Sequence, residues 1–179
     1  MDQKISCSLC HHPLSMFGNH ELKDGVICKK CGRSLSPWIL NPKLKNRTLG
    51  DIERHLSYRK DNLIRLENCD LSLKVEGRYN LYMDEYNQYF VFSKREDLIE
   101  ENADLFELNQ IQSMKVKEVP YSENTIDLYM VITLNHKEID SIVFRVNEFP
   151  GIEKDTDDYQ KCIETIRNYA IILGGNRDA

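Results

Sequence analysis

The chain has 179 residues, of which 41% are hydrophobic and 30% charged, with a net charge of −5; this is ordinary composition for a packed, soluble protein of one domain with an appendage, or two small domains, and excludes a disordered chain. No apolar run approaches the roughly 20 residues needed to cross a bilayer, and Met1-Asp2-Gln3-Lys4 is not followed by the apolar stretch of a secretory signal. A cytoplasmic location is therefore expected, where thiols stay reduced and six cysteines read as metal ligands and buried thiols before disulfides.

The first element is a cysteine pattern: Cys7-Ser-Leu-Cys10, seventeen residues, then Cys28-Lys-Lys-Cys31. Two C-x2-C pairs at this separation match the spacing of a zinc site. Two residues between cysteines let a tight turn aim both sulfurs at one ion, and two such turns complete a tetrahedron with metal–sulfur distances of about 2.3 Å. Gly32, after the second pair, is expected to supply a positive φ to its turn. His11 holds that place after the first pair, so that turn is expected to be less ideal. Cys7-x-x-Cys10-His11 also matches the haem-attachment pattern, but that leaves the second pair unexplained and no export signal precedes it. Iron remains open beside zinc. His11, His12 and His20 could stand in for a cysteine, although four cysteines already complete a set. A closed set leaves no position for water and is structural. A segment of about 45 residues with few large apolar side chains also needs such a staple to fold.

Leu22-Lys-Asp-Gly25-Val-Ile27 predicts strand, turn and strand leading into Cys28. Pro37, Asn41 and Pro42 predict a loop, with Trp38 in it as a packing residue or a partner contact. Charge is uneven along the chain. Residues 1–47 hold eight Lys/Arg and three Asp/Glu, a balance of +5; residues 48–179 hold sixteen and twenty-six, a balance of −10. Separate surfaces for separate partners, or attraction between the two parts, would each produce this pattern. Lys29, Lys30, Arg33, Lys43, Lys45 and Arg47 are the candidate phosphate contacts if the segment binds nucleic acid; the plainer reading is that they offset thiolate charge.

Thr48 and Asp51 predict a capped helix start, with Leu49, Ile52, Leu56, Leu63 and Leu66 on one apolar face and His55 solvated. From Asp70 the period changes to two. Leu71, Leu73 and Val75, then Tyr79, Leu81 and Met83, then Phe90 and Phe92 predict successive strands. Residues 94–104 are charged and predict a loop or short helix. Met114 and Val116, then Ile126 to Leu134, then Ile142, Phe144 and Val146 predict further strands, with Asn135-His136-Lys137 as a hairpin turn. Tyr159, Cys162, Ile163, Ile166, Tyr169, Ala170 and Leu173 form an apolar helical stripe. Asp155, Thr156 and Asp157 are placed to start this last helix, and Gly174-Gly175 to end it. Cys162 is expected in the core.

CSLCHHPLS followed by LKDGVICKKCGRSL resembles a bacterial and prophage four-cysteine zinc-ribbon domain of unknown function, over about the first 40 residues. The strand order that follows resembles a bacterial pleckstrin-homology-like domain. The resemblance implies ligands at Cys7, Cys10, Cys28 and Cys31 and no activity. The expected fold is α+β: a small zinc ribbon over 1–45, a connecting helix over 46–68, and over 69–179 a seven-stranded pleckstrin-homology-like β-sandwich or barrel with a C-terminal helix. No phosphate-binding loop, nucleophile elbow or metalloprotease motif is present. Cys69 and His136 have no identifiable catalytic partner. The expected function is thus non-enzymatic: a zinc-binding protein–protein interaction or regulatory protein, with one structural Zn2+. The alternative is nucleic-acid binding through the basic ribbon. Lipid binding lacks a signal, because the connection at Gly77-Arg78 carries little positive charge and the next turn is acidic.

Overall fold

The computed structural model describes residues 6–40 and 43–174, and only the backbone of Lys43. The loop expected at Asn41 and Pro42, and Gly175 at the end of the last helix, lie outside the described residues. Contacts divide the chain into two compact units, residues 1–64 and 65–179. No helix among the described residues is long and apolar enough to cross a membrane.

The first unit is small, and its β structure is minimal. Two antiparallel strands, β1 (His20–Glu21) and β2 (Val26–Ile27), pair His20 with Ile27. The Leu22 N–H donates to the Gly25 carbonyl at 2.8 Å and closes the turn between them, as the sequence predicts. A five-residue helix, α1 (Lys29–Arg33), follows. A 3₁₀ turn over Pro37–Ile39 is capped by Ser36, whose hydroxyl accepts the Trp38 N–H, and proline sits at its start, where a missing N–H costs nothing. Trp38 is buried.

Helix α2 (Leu49–Leu66) begins as expected. The Thr48 N–H donates to Asp51 Oδ2 at 2.9 Å, and the Asp51 N–H donates back to Thr48 Oγ1 at 3.2 Å. The buried face differs from the expected one. Leu49, Leu56 and Leu63 are only half-buried, while Ile52, His55, Arg59, Asn62 and Leu66 are buried. These fall at steps of three and four, so they form one stripe, and three of the five are polar. The expectation of a solvated His55 is corrected: it is fully buried, and its Nε2 accepts the Ser36 N–H at 3.1 Å.

The second unit carries two four-stranded antiparallel sheets. In the first, β3 (Ser72–Val75), β4 (Asn80–Asp84), β5 (Tyr89–Ser93) and β6 (Phe106–Glu107) lie in sequence order, with α3 (Leu98–Glu101) between the last two. In the second, β7 (Ile111–Pro120) pairs with β8 (Thr125–Leu134); the other side of β8 receives β9 (Ser141–Arg145) and, further along, β10 (Ile152–Glu153). Helix α4 (Asp157–Ile172) ends the unit. Thr156 caps its start, accepting the Tyr159 N–H, and Gly174 follows it at φ +82°. The barrel expectation is corrected. Eight strands are present among the described residues, and they form separate sheets with no closed barrel. A 3₁₀ turn over Leu108–Gln110 separates β6 of the first sheet from β7 of the second.

Both faces of the first sheet are buried. On one, Tyr82 and Val91 pack with Leu66, Ala103 and Leu105. On the other, Phe90 and Phe92 point into a core shared with the second sheet, where Phe92 stacks at 4.9 Å on Phe144 of β9. Tyr169 of α4 closes this core, edge-on to Phe92 at 5.2 Å and to Phe144 at 6.0 Å, and its hydroxyl donates to the Tyr79 carbonyl. Where β8 has no strand beside it, between β9 and β10, Asn147 takes the strand's place. Its Oδ1 accepts the Leu128 N–H at 2.9 Å, and its amide donates to Asp127 Oδ1 at 2.8 Å and to the Phe149 carbonyl at 2.6 Å.

Tyr169 is fully buried, so Tyr169→Ala is expected to destabilise the second unit by about 3–5 kcal/mol. Tyr169→Phe, which removes only the hydroxyl, should cost roughly 1 kcal/mol; urea denaturation distinguishes the two. Asp51 is held down at about 2 by the Thr48 N–H, then by the Thr48 hydroxyl and Arg54. A carboxylate lowered on folding stabilises the fold above its unfolded value and loses that contribution as pH falls through its folded value. Loss of α2 helicity between the unfolded value of about 3.9 and the folded value of about 2 should thus be shallower in Asp51→Asn, read by circular dichroism.

Candidate metal centre

Four cysteines far apart in sequence meet because two short structures bring them together. The first is a turn over Ser8–Cys10. It is closed by the His11 N–H donating to the Cys7 carbonyl at 2.9 Å and fastened by the Cys7 N–H donating to the His12 carbonyl at 2.8 Å. His11 leaves this turn at φ +60°, a left-handed conformation that histidine adopts at some cost. The second structure corrects an expectation. Gly32 does not supply a positive φ; it lies inside α1, with Cys28 as the N-cap and Cys31 in the helix. What Gly32 supplies is space, because a Cβ there would stand 2.3 Å from Nε2 of His20. The two structures are tied by the Ser8 N–H donating to the Val26 carbonyl at 2.8 Å and by the Val26 N–H donating to the Ser8 hydroxyl at 3.1 Å.

The sulfurs of Cys7, Cys10, Cys28 and Cys31 all lie within 4.8 Å of one another and can hold a metal ion. Cys7 Sγ and Cys31 Sγ are 3.8 Å apart, and Cys10 Sγ and Cys28 Sγ 3.7 Å. Neither pair is a disulfide, which requires about 2.05 Å. A tetrahedron of sulfurs at about 2.3 Å from a central ion has edges of about 3.8 Å, so these two opposite edges fit a metal. Burial works to raise the Cys7 thiol, but the N–H groups of Cys10, Cys28 and Leu9 outweigh it and hold it at about 6. The Cys31 N–H lowers Cys28 against the opposing effect of burial. Cys31 is pushed up, by burial first and then by the neighbouring sulfurs. A metal ion takes the place of thiol protons in such a set, so metal uptake releases protons.

The remaining candidates are dispersed. Lys29, Lys30 and Arg33 lie exposed on α1. They line a cavity of about 530 Å³, together with Cys10, Cys28 and Cys31. Lys45 is exposed and pairs with Glu21 at 3.2 Å, Arg47 is half-buried, and neither lines that cavity. Of the Lys43 side chain nothing is described. Cys69 is half-buried, its thiol donating to the Arg65 carbonyl at 3.2 Å. Burial pushes it up, the opposite of nucleophile activation. Cys162, expected in the core, is half-buried, and burial pushes it up also. His136 Nδ1 accepts the N–H groups of Glu138 and Ile139, which fastens the turn after β8; burial lowers its pKa and favours the neutral ring.

Sequence reasoning passed over Met16 and Phe17. They are 87% and 79% exposed, at the tip of a loop between the two cysteine pairs. The signal for them was available: two bulky apolar residues between Ser15 and Gly18, in a segment with few others.

Residues 5–55 match a family described as Domain of unknown function (DUF4428). Comparison with curated proteins returns no match, and comparison with solved structures returns none either. The family match and the four-cysteine cluster together fit a zinc-ribbon-like N-terminus.

Purified without added metal, the wild-type chain is expected to carry one thiophilic metal ion and Cys28→Ser none, by elemental analysis. Metal-free wild type with a native fold would overturn the assignment.

Proposed function

We propose that this chain is a non-enzymatic protein-interaction or regulatory protein, whose N-terminal segment is a zinc ribbon with one structural Zn2+ on Cys7, Cys10, Cys28 and Cys31. The observation that carries this reading is the closed set of four sulfurs. Four protein ligands fill a tetrahedral ion, leaving no position for a water or substrate, so the ion's work is to hold the fold. Zn2+ suits the set because it brings no redox chemistry and accepts tetrahedral sulfur without strain. After the ribbon (1–45) and a connecting helix (46–68), we read residues 69–179 as a pleckstrin-homology-like domain. Two antiparallel sheets followed by a C-terminal helix support this. A cytoplasmic protein of bacterial or phage origin belongs to the same reading.

A second reading, nucleic-acid binding, is favoured by one observation: Lys29, Lys30 and Arg33 stand together, exposed, on α1. Against it, residues 48–179 carry a balance of −10, which repels a polyanion.

Affinity capture with the zinc-loaded chain separates the two. A single stoichiometric protein partner, retained after nuclease treatment, supports the first reading. Binding to short DNA or RNA that weakens steeply with salt, and no protein partner, replaces it with the second.

A further inference from the structure

The metal centre opens onto a surface of the first unit. It consists of a mostly apolar cavity of about 530 Å³ whose floor includes Pro13 and the ligands Cys10, Cys28 and Cys31. Its rim carries Lys29, Lys30 and Arg33. Among the described residues no carboxylate pairs with any of these three, whereas Lys45 on the same unit is paired with Glu21. Helix α1 contains no acidic residue. Charge balance at the metal consumes two of these three cations at most. Four thiolates around a dication leave about −2, and three cations exceed that.

Beside this cavity stands an ordered apolar tip. The Ser15 hydroxyl donates to the Phe17 carbonyl at 2.7 Å, and the Asn19 amide donates to the Ser15 carbonyl at 2.6 Å. Gly18 turns the chain at φ +81° against the Lys29 stem, with a Cβ position 3.1 Å from Lys29 Cδ. The loop is thus braced on α1, while Met16 and Phe17 remain 87% and 79% exposed. Local hydrogen bonding holds two bulky apolar groups in water on a loop braced against Lys29.

We infer that this face is a docking surface for an acidic segment of another protein, one that carries a bulky apolar side chain. The apolar residue enters the cavity against Pro13 and the lysine stems, and Met16 and Phe17, next to the lining residue Ser15, offer it further apolar contact outside the cavity. Aspartates and glutamates on either side meet Lys29, Lys30 and Arg33. Charge complementarity selects the sign of the partner, and a short acidic segment meets less repulsion than a polynucleotide from the balance of −10 on residues 48–179. The inference rests on the reading that the chain works by binding protein, and specifies where it does so.

The test is to pan a random-peptide library on the full zinc-loaded chain and measure the selected peptides by fluorescence anisotropy. Selected peptides are expected to combine several Asp or Glu with Leu, Phe, Trp or Met. Their affinity should fall about tenfold or more in the double charge reversal Lys30→Glu/Arg33→Glu, fall also in Phe17→Ser, and weaken with salt. Zinc content and circular dichroism of Phe17→Ser should match wild type, since that change touches neither a ligand nor a buried group, and the charge reversal is compared with wild type at matched zinc content. Peptides that bind both variants as tightly as wild type overturn this surface and leave the protein-binding reading standing. Selected peptides lacking acidic residues overturn the charge argument and with it the proposal. A wild-type dimer in sedimentation that Phe17→Ser converts to monomer makes a second copy the occupant instead. No selected peptide, with single-stranded oligonucleotide binding lost in the charge reversal, overturns both the surface and the protein-binding reading.

Discussion

Four sulfurs that would each carry negative charge are held within 4.8 Å of one another, and the N-terminal unit depends on what neutralises them. Its β structure amounts to two paired residues per strand, too little to fix a sheet unaided. The cysteine turn at Ser8–Cys10 and the five-residue helix α1 are likewise too short to persist alone. Each would be fixed by an ion shared among its sulfurs. The hydrogen bonds between Ser8 and Val26, the packing of His20 over Gly32 and the bracing of the Gly18 loop on Lys29 all require the two cysteine structures to be in register. An ion shared by the four sulfurs would put them there, and binding energy in such units is folding energy.

The second unit has no metal-ligand cluster among its described residues. Its interior is aromatic, with Phe92, Phe144 and Tyr169 in mutual contact, one from each sheet and one from the closing helix. Aromatic groups suit this three-way junction because each covers a large area, and Tyr169 meets both phenylalanines edge to face. One polar group, the Tyr169 hydroxyl, is carried into this core, where the Tyr79 carbonyl accepts its proton.

Much of this was legible in the sequence, where a single local rule governs the outcome. The cysteine spacing gives the cluster, alternation gives β4, β5, β8 and β9, and Thr48 and Thr156 mark helix starts through their hydroxyls. What was not legible depends on tertiary context. His55, Arg59 and Asn62 are buried on α2 although hydropathy assigns them to water; only a partner such as the Ser36 N–H makes His55 acceptable there. Gly32 looked like a turn residue because glycine permits positive φ, whereas its role is a close approach to a side chain twelve residues earlier. The two-residue strands β6 and β10 are too short for alternation to register. Met16 and Phe17 were overlooked because an apolar pair in a loop has no periodicity to detect.

The bridge made by Asn147 restricts the substitutions that position can accept. It supplies an acceptor to the Leu128 N–H and donors to Asp127 and the Phe149 carbonyl at once. Aspartate, nearly the same shape, keeps the acceptor but loses both donors and sets a second carboxylate against Asp127. Leucine, of similar volume, strands the Leu128 N–H inside a buried strand. Position 147 therefore reads as chemically narrow though it lies in a connection between strands, and slow conversion of its amide to an acid during storage would act on the fold like a mutation.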